Sequence, residues 1–405
     1  MKLSRGLPAV PFVLFNIFLD ILGIGLIIPV LPKLVGTLVE NAQAQAWWLG
    51  AMLIAYGFMQ FALAPTLGSL SDKWGRRPIL LLGVLGLGVM FFVPAFSDSL
   101  TVILLSRVLG GMFSANIAVA QAYIADVTPK EQRAAAFGKI GACFGVGFIL
   151  GPAAGGLIGE YSIRLPFILA GTLAILNFFY GLFILPESLR IKNPNAVTFA
   201  RCNPISSLLE LGKFKQIGAL LVVIALSSFV QSLLHSTWSL FTTFRFHWSP
   251  MDIGLSLVAI GTVTGIIQGK FIKSLLAFFG PKRLILFGLL SGAAAYLGFG
   301  LITVGALAYL IIVLNFLSMA VTPTLNGIVS EEVPSADQGR ALGAVSALGS
   351  LMGVLAPLLG TPLLVHTSHM APGSVLGGLP YIICSGLLLL AALIASLHFR
   401  SHPRA

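Results

Sequence analysis

Apolar runs of about 20 residues, each separated from the next by a short polar break, follow one another along almost the whole chain. A run of that length covers roughly 30 Å of hydrocarbon at about 1.5 Å rise per residue, so each predicts a membrane-spanning helix. The pattern places twelve of them, over residues 8–35, 46–70, 78–97, 100–126, 134–158, 164–186, 216–241, 250–274, 282–303, 305–328, 338–363 and 376–399. The longest polar interruption follows the sixth run and carries Pro186-Glu187-Ser188, Lys192-Asn193-Pro194-Asn195 and Arg201-Cys202-Asn203-Pro204, sequences that favour turns. It divides the chain into an N-terminal bundle (1–186), a linker (187–215) and a C-terminal bundle (216–405).

Special residues recur at an offset of 205: Gly75 with Gly280, Gly83 with Gly288, Asp126 with Glu331, Gly138 with Gly343, Pro152 with Pro357, and Gly155 with Gly360. Some coincidence is expected in a chain with 45 glycines, but the matches cluster around the fifth and eleventh runs. A duplicated unit of six helices is the plan of many secondary transporters, which hold substrate near the midplane of the bilayer.

Composition agrees: with 57% hydrophobic residues, 9% charged residues and a mean hydropathy of +0.98, lipid must be the solvent for most of the surface. The net charge of +11 would by itself suit nucleic acid, but the cations fall in alternate breaks. Lys73, Arg76, Arg77, Lys130, Arg133, Lys192, Lys213, Lys282, Arg283, Arg340 and Arg400 share one side, while Lys33, Arg164 and Arg245 fall on the other. That asymmetry is the positive-inside pattern and predicts a multi-pass protein with both termini in the cytoplasm and no nucleic-acid partner. The first run is too long for a secretory leader, contains Asp20 and lacks a small-x-small cleavage site, so it reads as an uncleaved helix. Cys143, Cys202 and Cys384 have neither metal nor disulfide spacing and read as small buried thiols.

Four local patterns add chemistry. Between the second and third runs stands Gly68-Ser69-Leu70-Ser71-Asp72-Lys73-Trp74-Gly75-Arg76-Arg77-Pro78. The first run contains Leu19-Asp20-Ile21-Leu22-Gly23-Ile24-Gly25 and ends Pro29-Val30-Leu31-Pro32. The fourth opens on Arg107-Val108-Leu109-Gly110-Gly111 and closes on Ala125-Asp126, with Glu131 to Gly138 following, and the fifth reads Gly147-Phe148-Ile149-Leu150-Gly151-Pro152-Ala153-Ala154-Gly155-Gly156. In this order the four resemble the signatures of the major facilitator superfamily, and within it the drug:proton antiporters of the tetracycline-efflux branch. The resemblance covers essentially the full chain. It implies an all-α membrane protein of twelve transmembrane helices in two pseudo-symmetric six-helix bundles, driven by a proton gradient without a cofactor.

Physical chemistry gives each pattern a role. In the Gly68–Pro78 segment, read as a loop, Gly68 and Gly75 permit close turns, while Asp72, Arg76 and Arg77 can form an ion-pair network. The resemblance implies that Arg76 reaches Asp126 and that Asp72 faces the start of the eleventh helix near Arg340, a cytoplasmic gate. The alternative is a charged loop that only orients insertion. The second-half counterpart has Ala277 where Asp72 stands, so the gate reads as one-sided.

Asp20 lies near mid-membrane, where a carboxylate is costly unless protonated or paired, and Arg107 reaches a similar depth. The two form the candidate proton-coupling pair, with a static ion pair as the alternative. Gly147, Gly151, Pro152, Gly155 and Gly156 combine a small-residue face with a broken backbone ladder, which suits a hinge or sliding face, or else ordinary packing. Ser249-Pro250-Met251-Asp252 and Thr128-Pro129-Lys130-Glu131 read as capping boxes with no transport chemistry.

Polar and aromatic residues inside the runs supply a candidate substrate cavity: Tyr56, Gln60, Asn116, Gln121, Gln231, His235, Trp238, Gln268, Asn315 and Asn326. His235 either binds substrate, carries a proton or is a structural histidine. Such a lining suits an amphipathic solute better than a phosphate or a multiply charged acid. The resemblance places an acid in the third and another in the ninth helix of the tetracycline exporters, to handle a metal-complexed drug and its proton. Here Met90 and Gly292 stand at those positions, which argues against tetracycline itself and concentrates coupling on Asp20.

Catalytic triads, metal spacings and phosphate-binding loops are missing from the sequence, so an enzyme or an ATP-driven pump does not fit. The expected function is proton-driven antiport exporting a drug, siderophore or other small amphipathic metabolite by alternating access. A proton-coupled uptake symporter or a facilitator of the same fold is the alternative. The expected setting is a monomer in a bacterial inner membrane, with protons, a small molecule and the bilayer as partners.

Overall fold

A computed structural model describes residues 9–114, 116–128, 133–189, 197, 202–204, 217–333, 338–367, 370 and 374–401. Ten helical stretches among them are long and apolar enough to cross a membrane, and Val13–Ile27 forms a shorter apolar helix.

The N-terminal helices are α1 (Ala9–Ile27), α2 (Leu31–Gly36), α3 (Ala42–Trp74), α4 (Arg76–Phe96), α5 (Leu100–Ser114), α6 (Ile117–Val127), α7 (Arg133–Tyr161) and α8 (Leu165–Ile184). They are followed by α9 (Gly218–Phe246), α10 (Pro250–Ile266), a π-helical turn (Ile267–Phe271), α11 (Ile272–Phe279) and α12 (Pro281–Leu301). After α13 (Ala306–Leu314) come a 3-10 segment (Asn315–Ala320), α14 (Val321–Glu332), α15 (Gln338–Thr367), a 3-10 turn (Val375–Gly378) and α16 (Leu379–Ser401).

Residue contacts group the chain into two compact units. One takes in residues 1–40, 51–204 and 249–258, and the other 41–50, 205–248 and 259–405. In the first, Val13, Ile17 and Ile21 of α1 join Ile79 and Leu80 of α4 and Val119, Tyr123 and Ile124 of α6 in a buried core.

The predicted loop over 68–78 is corrected by the structure. Helix α3 runs on to Trp74 and α4 begins at Arg76, so the connection is the single residue Gly75, with φ 114° and ψ 155°. A side chain at that φ is strained, so glycine allows two long helices to meet without a loop. The second unit repeats the device at Gly280, φ 70° and ψ 159°, between α11 and α12.

The fourth predicted span is present as α5 and α6, within one apolar stretch, Leu100–Val127, long enough to cross a membrane; residue 115 between the two helices lies outside the described residues. Asn116 Nδ2 donates to the Leu80 carbonyl at 3.0 Å, and its side chain lies over Gly83, where a Cβ would come within 2.7 Å. At the offset of 205, Gly288 lies under Val321, where the 3-10 segment gives way to α14. The repeat suggested by isolated glycines is therefore a repeat of packing.

Ser249 and Asp252 form the expected capping box: Ser249 N donates to Asp252 Oδ2 at 3.0 Å, and Asp252 N to Ser249 Oγ at 3.3 Å.

Candidate functional site

Three groupings in the first unit bring sequence-selected residues together. At the corner between α3 and α4, Arg76 is buried and its guanidinium is divided among three partners. Nη2 meets Asp72 Oδ1 at 2.7 Å, Nε meets Asp126 Oδ2 at 3.1 Å, and Nη1 donates to Ser71 Oγ at 2.5 Å. Sharing one guanidinium between two carboxylates ties the end of α3 to the end of α6. Arg77 reaches another helix, donating from Nη2 to the Leu182 carbonyl in α8 at 2.6 Å.

Glu187 completes the corner, although the pattern assigned it to the linker. Its carboxylate accepts the backbone N–H of Arg76 at 2.9 Å and of Arg77 at 3.2 Å, the first two residues of α4. A helix N-terminus leaves such N–H groups unpartnered and carries partial positive charge, so a carboxylate there is favoured. Ser188 Oγ also donates to Asp126 at 3.1 Å, and Tyr123 Oη to the Pro186 carbonyl at 2.7 Å, holding the segment in place. The signal available in the sequence was the Pro186-Glu187-Ser188 run directly after the sixth span. Gly68 has open space around its Cα, and Arg340 lies in α15 with its side chain outside the described residues.

The second grouping is the α1–α7 contact. Cβ atoms built on Gly147, Gly151 and Gly155 would meet Ile21, Gly25 and Leu26 of α1; at Gly151 the distance to Gly25 Cα and to the Leu22 carbonyl oxygen would be 2.8 Å. Gly156 faces residues 250–254 instead, within 3.2 Å of Gly254 Cα by the same measure, while Pro152 meets both sides: its ring Cδ would stand 2.8 Å from a Cβ on Gly25 and its carbonyl oxygen 2.5 Å from one on Gly254. Helix α7 thus presents two bare faces, one to the helix that carries Asp20.

The third grouping is Asp20, Tyr56 and Arg107. Asp20 and Arg107 are 8% and 7% exposed, and no ion pair joins them among the described residues. The Arg107 guanidinium instead lies over the Tyr56 ring, 5.9 Å from its centroid, and its Nε has no hydrogen-bond partner among the described residues. The Tyr56 hydroxyl lies beside Ser114, in electrostatic reach of both Arg107 and Asp20.

The remaining cavity candidates separate. Gln231 and His235, one turn apart on α9, are exposed, as is Gln121 on α6, while Gln60 is half-buried. Gln268 sits in the π-turn and donates from Nε2 to the Met319 carbonyl of the 3-10 segment at 2.9 Å. Asn315 and Asn116 are buried and Asn326 half-buried, each with an amide oxygen unpartnered among the described residues. Trp238 is 1% exposed, packed edge-on against Trp248, Phe299 and Tyr381; it is a core residue, not a cavity wall. Met90 faces Gly110, and Gly292 is covered by Leu388 and Ser318, so neither position carries a charge. Among the described residues no group of three or more His, Cys, Asp or Glu is placed to hold a metal.

The family model of the Major Facilitator Superfamily matches residues 13–357. The chain belongs to that superfamily. Among similar proteins, the tetracycline resistance protein, class C, of Escherichia coli is 35% identical over 377 residues, 93% of each chain. The quinolone resistance protein NorA of Staphylococcus aureus is 30% identical over 379 residues, 91% of this chain and 94% of NorA. In structure, the chain resembles the human organic anion transporter MFSD10 with a TM-score of 0.71 at 24% identity, over 97% of this chain and 100% of that one. It also resembles a bacterial homologue of the lysosomal transporter Spinster with a TM-score of 0.75 at 17% identity, over 99% and 98% of the two chains. The protein is a multi-pass membrane transporter of the superfamily and not an enzyme.

Proposed function

We propose that this transporter is a proton-driven antiporter that exports a small amphipathic compound by alternating access, with Asp20 as its proton site. The observation that carries the reading is the Asp20 carboxyl group, 8% exposed in the apolar helix α1 and without an ion-pair partner among the described residues. A carboxylate so placed is unstable, whereas a carboxylic acid is tolerated, so the site favours binding and releasing a proton as its surroundings change. Relatives named for tetracycline and quinolone resistance support export as the direction. Met90 and Gly292 argue for a cargo other than a metal-complexed tetracycline.

In this reading the exposed Gln121, Gln231, His235 and Gln268 and the half-buried Gln60 are the polar positions that contact substrate. The Asp72–Arg76–Asp126 network with Glu187 governs a cytoplasmic gate, and the glycines of α7 let α1 shift. The distribution of Lys and Arg supports a cytoplasmic side for both termini, and the bacterial relatives support an inner-membrane setting for a monomer that uses no cofactor.

Proteoliposomes loaded with a pH-sensitive dye provide the test, with amphipathic compounds screened for substrate-driven proton movement. Protons moving opposite to the compound support antiport, protons moving with it indicate uptake, and no proton movement indicates facilitation. Asp20→Asn is expected to abolish proton-driven accumulation; wild-type accumulation in this variant rejects Asp20 as the proton site.

A further inference from the structure

We infer that Tyr56 is a positioning residue of proton coupling: its ring holds the Arg107 guanidinium apart from Asp20 while the acid is protonated, and yields it when the proton leaves. The inference rests on the reading of Asp20 as the proton site.

A buried guanidinium ordinarily finds a carboxylate or several carbonyl oxygens, because leaving its N–H groups unpartnered is costly. Arg245 shows the ordinary solution in this same chain, donating to the Ile302, Ser374 and Gly300 carbonyls at 2.8, 2.9 and 3.1 Å. Arg107 has no such set among the described residues; what it has is the face of Tyr56 at 5.9 Å. In a desolvated setting a ring face attracts a cation, but less strongly than a carboxylate does. The guanidinium therefore rests on the ring only while Asp20 is neutral, and a deprotonated Asp20 outcompetes it.

The backbone is shaped for this contact. Gly110 and Gly111 of α5 lie against Tyr56; a Cβ at Gly110 would stand 3.5 Å from the ring, and one at Gly111 would overlap the Tyr56 backbone. A side chain at Gly111 would push α3 and its ring away from α5, whereas a methyl at Gly110 would stand in ordinary contact with the ring. The hydroxyl has no hydrogen-bond partner among the described residues, so it is the ring, not the hydroxyl, that the site uses.

Among the described residues of the helices around α1, the other charged groups lie toward the helix ends. Of the helices packed on α1, α8 has no ionisable side chain except Tyr180, and α6 carries only Asp126, held by Arg76, besides Tyr123, which donates to Pro186. Helix α7 carries Arg133 and Lys139 toward its start and, at its far end, Glu160 and Tyr161; Glu160 accepts the Met251 N–H at 3.2 Å. Its Cys143 packs with the core of Val13, Ile17 and Ile21. On α3 the charges Asp72 and Lys73 belong to its last turn, and on α4 Arg76 and Arg77 belong to its first.

Infrared titration of the reconstituted full-length transporter tests this without a substrate. The protonated-carboxyl band of Asp20 is the band lost in Asp20→Asn, and its intensity is followed against pH. Tyr56→Leu frees Arg107 for Asp20, so the midpoint should move by about one pH unit toward acid, a tenfold change in proton affinity. Tyr56→Phe keeps the ring and should titrate as wild type; Tyr56→Leu combined with Arg107→Gln should lose the shift. An unshifted midpoint in Tyr56→Leu, or a Tyr56→Phe variant that shifts as Tyr56→Leu does, overturns the inference. If Asp20→Asn removes no titrating band, it is the proton-site reading that fails.

Discussion

Glu187 shows how much one side chain can decide at a helix end. Arg76, Asp72 and Asp126 were legible because charges are rare in this sequence and these three stand in recognisable patterns. Glu187 was not, because nothing local says that a residue after the sixth span folds back onto the start of α4, 111 residues earlier. Replacing it by Gln removes the charge that faces the N-terminus of α4 and weakens both backbone contacts. A loss of about 0.5–2 kcal/mol is expected, read as a lower unfolding temperature in detergent. Trp238 misled in the opposite direction, since a mid-span aromatic has the same spacing whether it faces a cavity or a core. Its burial among Phe241, Phe299 and Tyr381 predicts that Trp238→Ala costs about 3–5 kcal/mol and shows as loss of folded protein, before any effect on substrate affinity.

At the level of helices, hydropathy gave the spans but not their breaks. The apolar pattern runs unbroken through the π-turn at 267–271 and through the 3-10 segment at 315–320, because a membrane helix need not change polarity where its hydrogen bonding shifts. Glycine spacing in α7 was legible as a small-residue face, but its partners were not. Within α7 the same chemical change should have opposite outcomes at two positions six residues apart. A methyl group at Gly151 meets the α1 backbone at 2.8 Å, which cannot yield as a flexible side chain would, whereas one at Gly145 meets nothing within 4 Å. Gly151→Ala is therefore expected to reduce transport at least about tenfold with protein still in the membrane, since α1 is displaced along with Asp20. Gly145→Ala should leave transport intact and raise stability by about 0.4–1 kcal/mol. Equal transport by the two variants would remove the α1–α7 face from the mechanism.

Across the whole molecule the repeat becomes informative where it fails. Gly75 and Gly280 are the same corner built twice, each a lone glycine at positive φ joining two helices, and Gly83 over Asn116 is matched by Gly288 over Val321. The first corner carries Asp72, Arg76 and Glu187, while the position matching Asp72 is Ala277 and space is open around Gly280. Both halves thus share the backbone solution, while an Asp–Arg–Asp network is seen among the described residues at the first corner. If that network controls transport and the corner alone does not, the two glycines should respond differently to the same substitution. Gly280→Ala incurs backbone strain of about 1–3 kcal/mol, which should lower the unfolding temperature and leave the transport rate of the surviving protein near wild type. Gly75→Ala incurs similar strain, and its methyl also meets the Glu187 carboxylate carbon at 2.9 Å, so the anion must leave the N-terminus of α4. That variant should lose transport out of proportion to its loss of stability. The comparison needs only the two unfolding temperatures and the rates per folded molecule. A Gly280→Ala variant as inactive as Gly75→Ala would mean that the corner itself, rather than its charges, governs the gate.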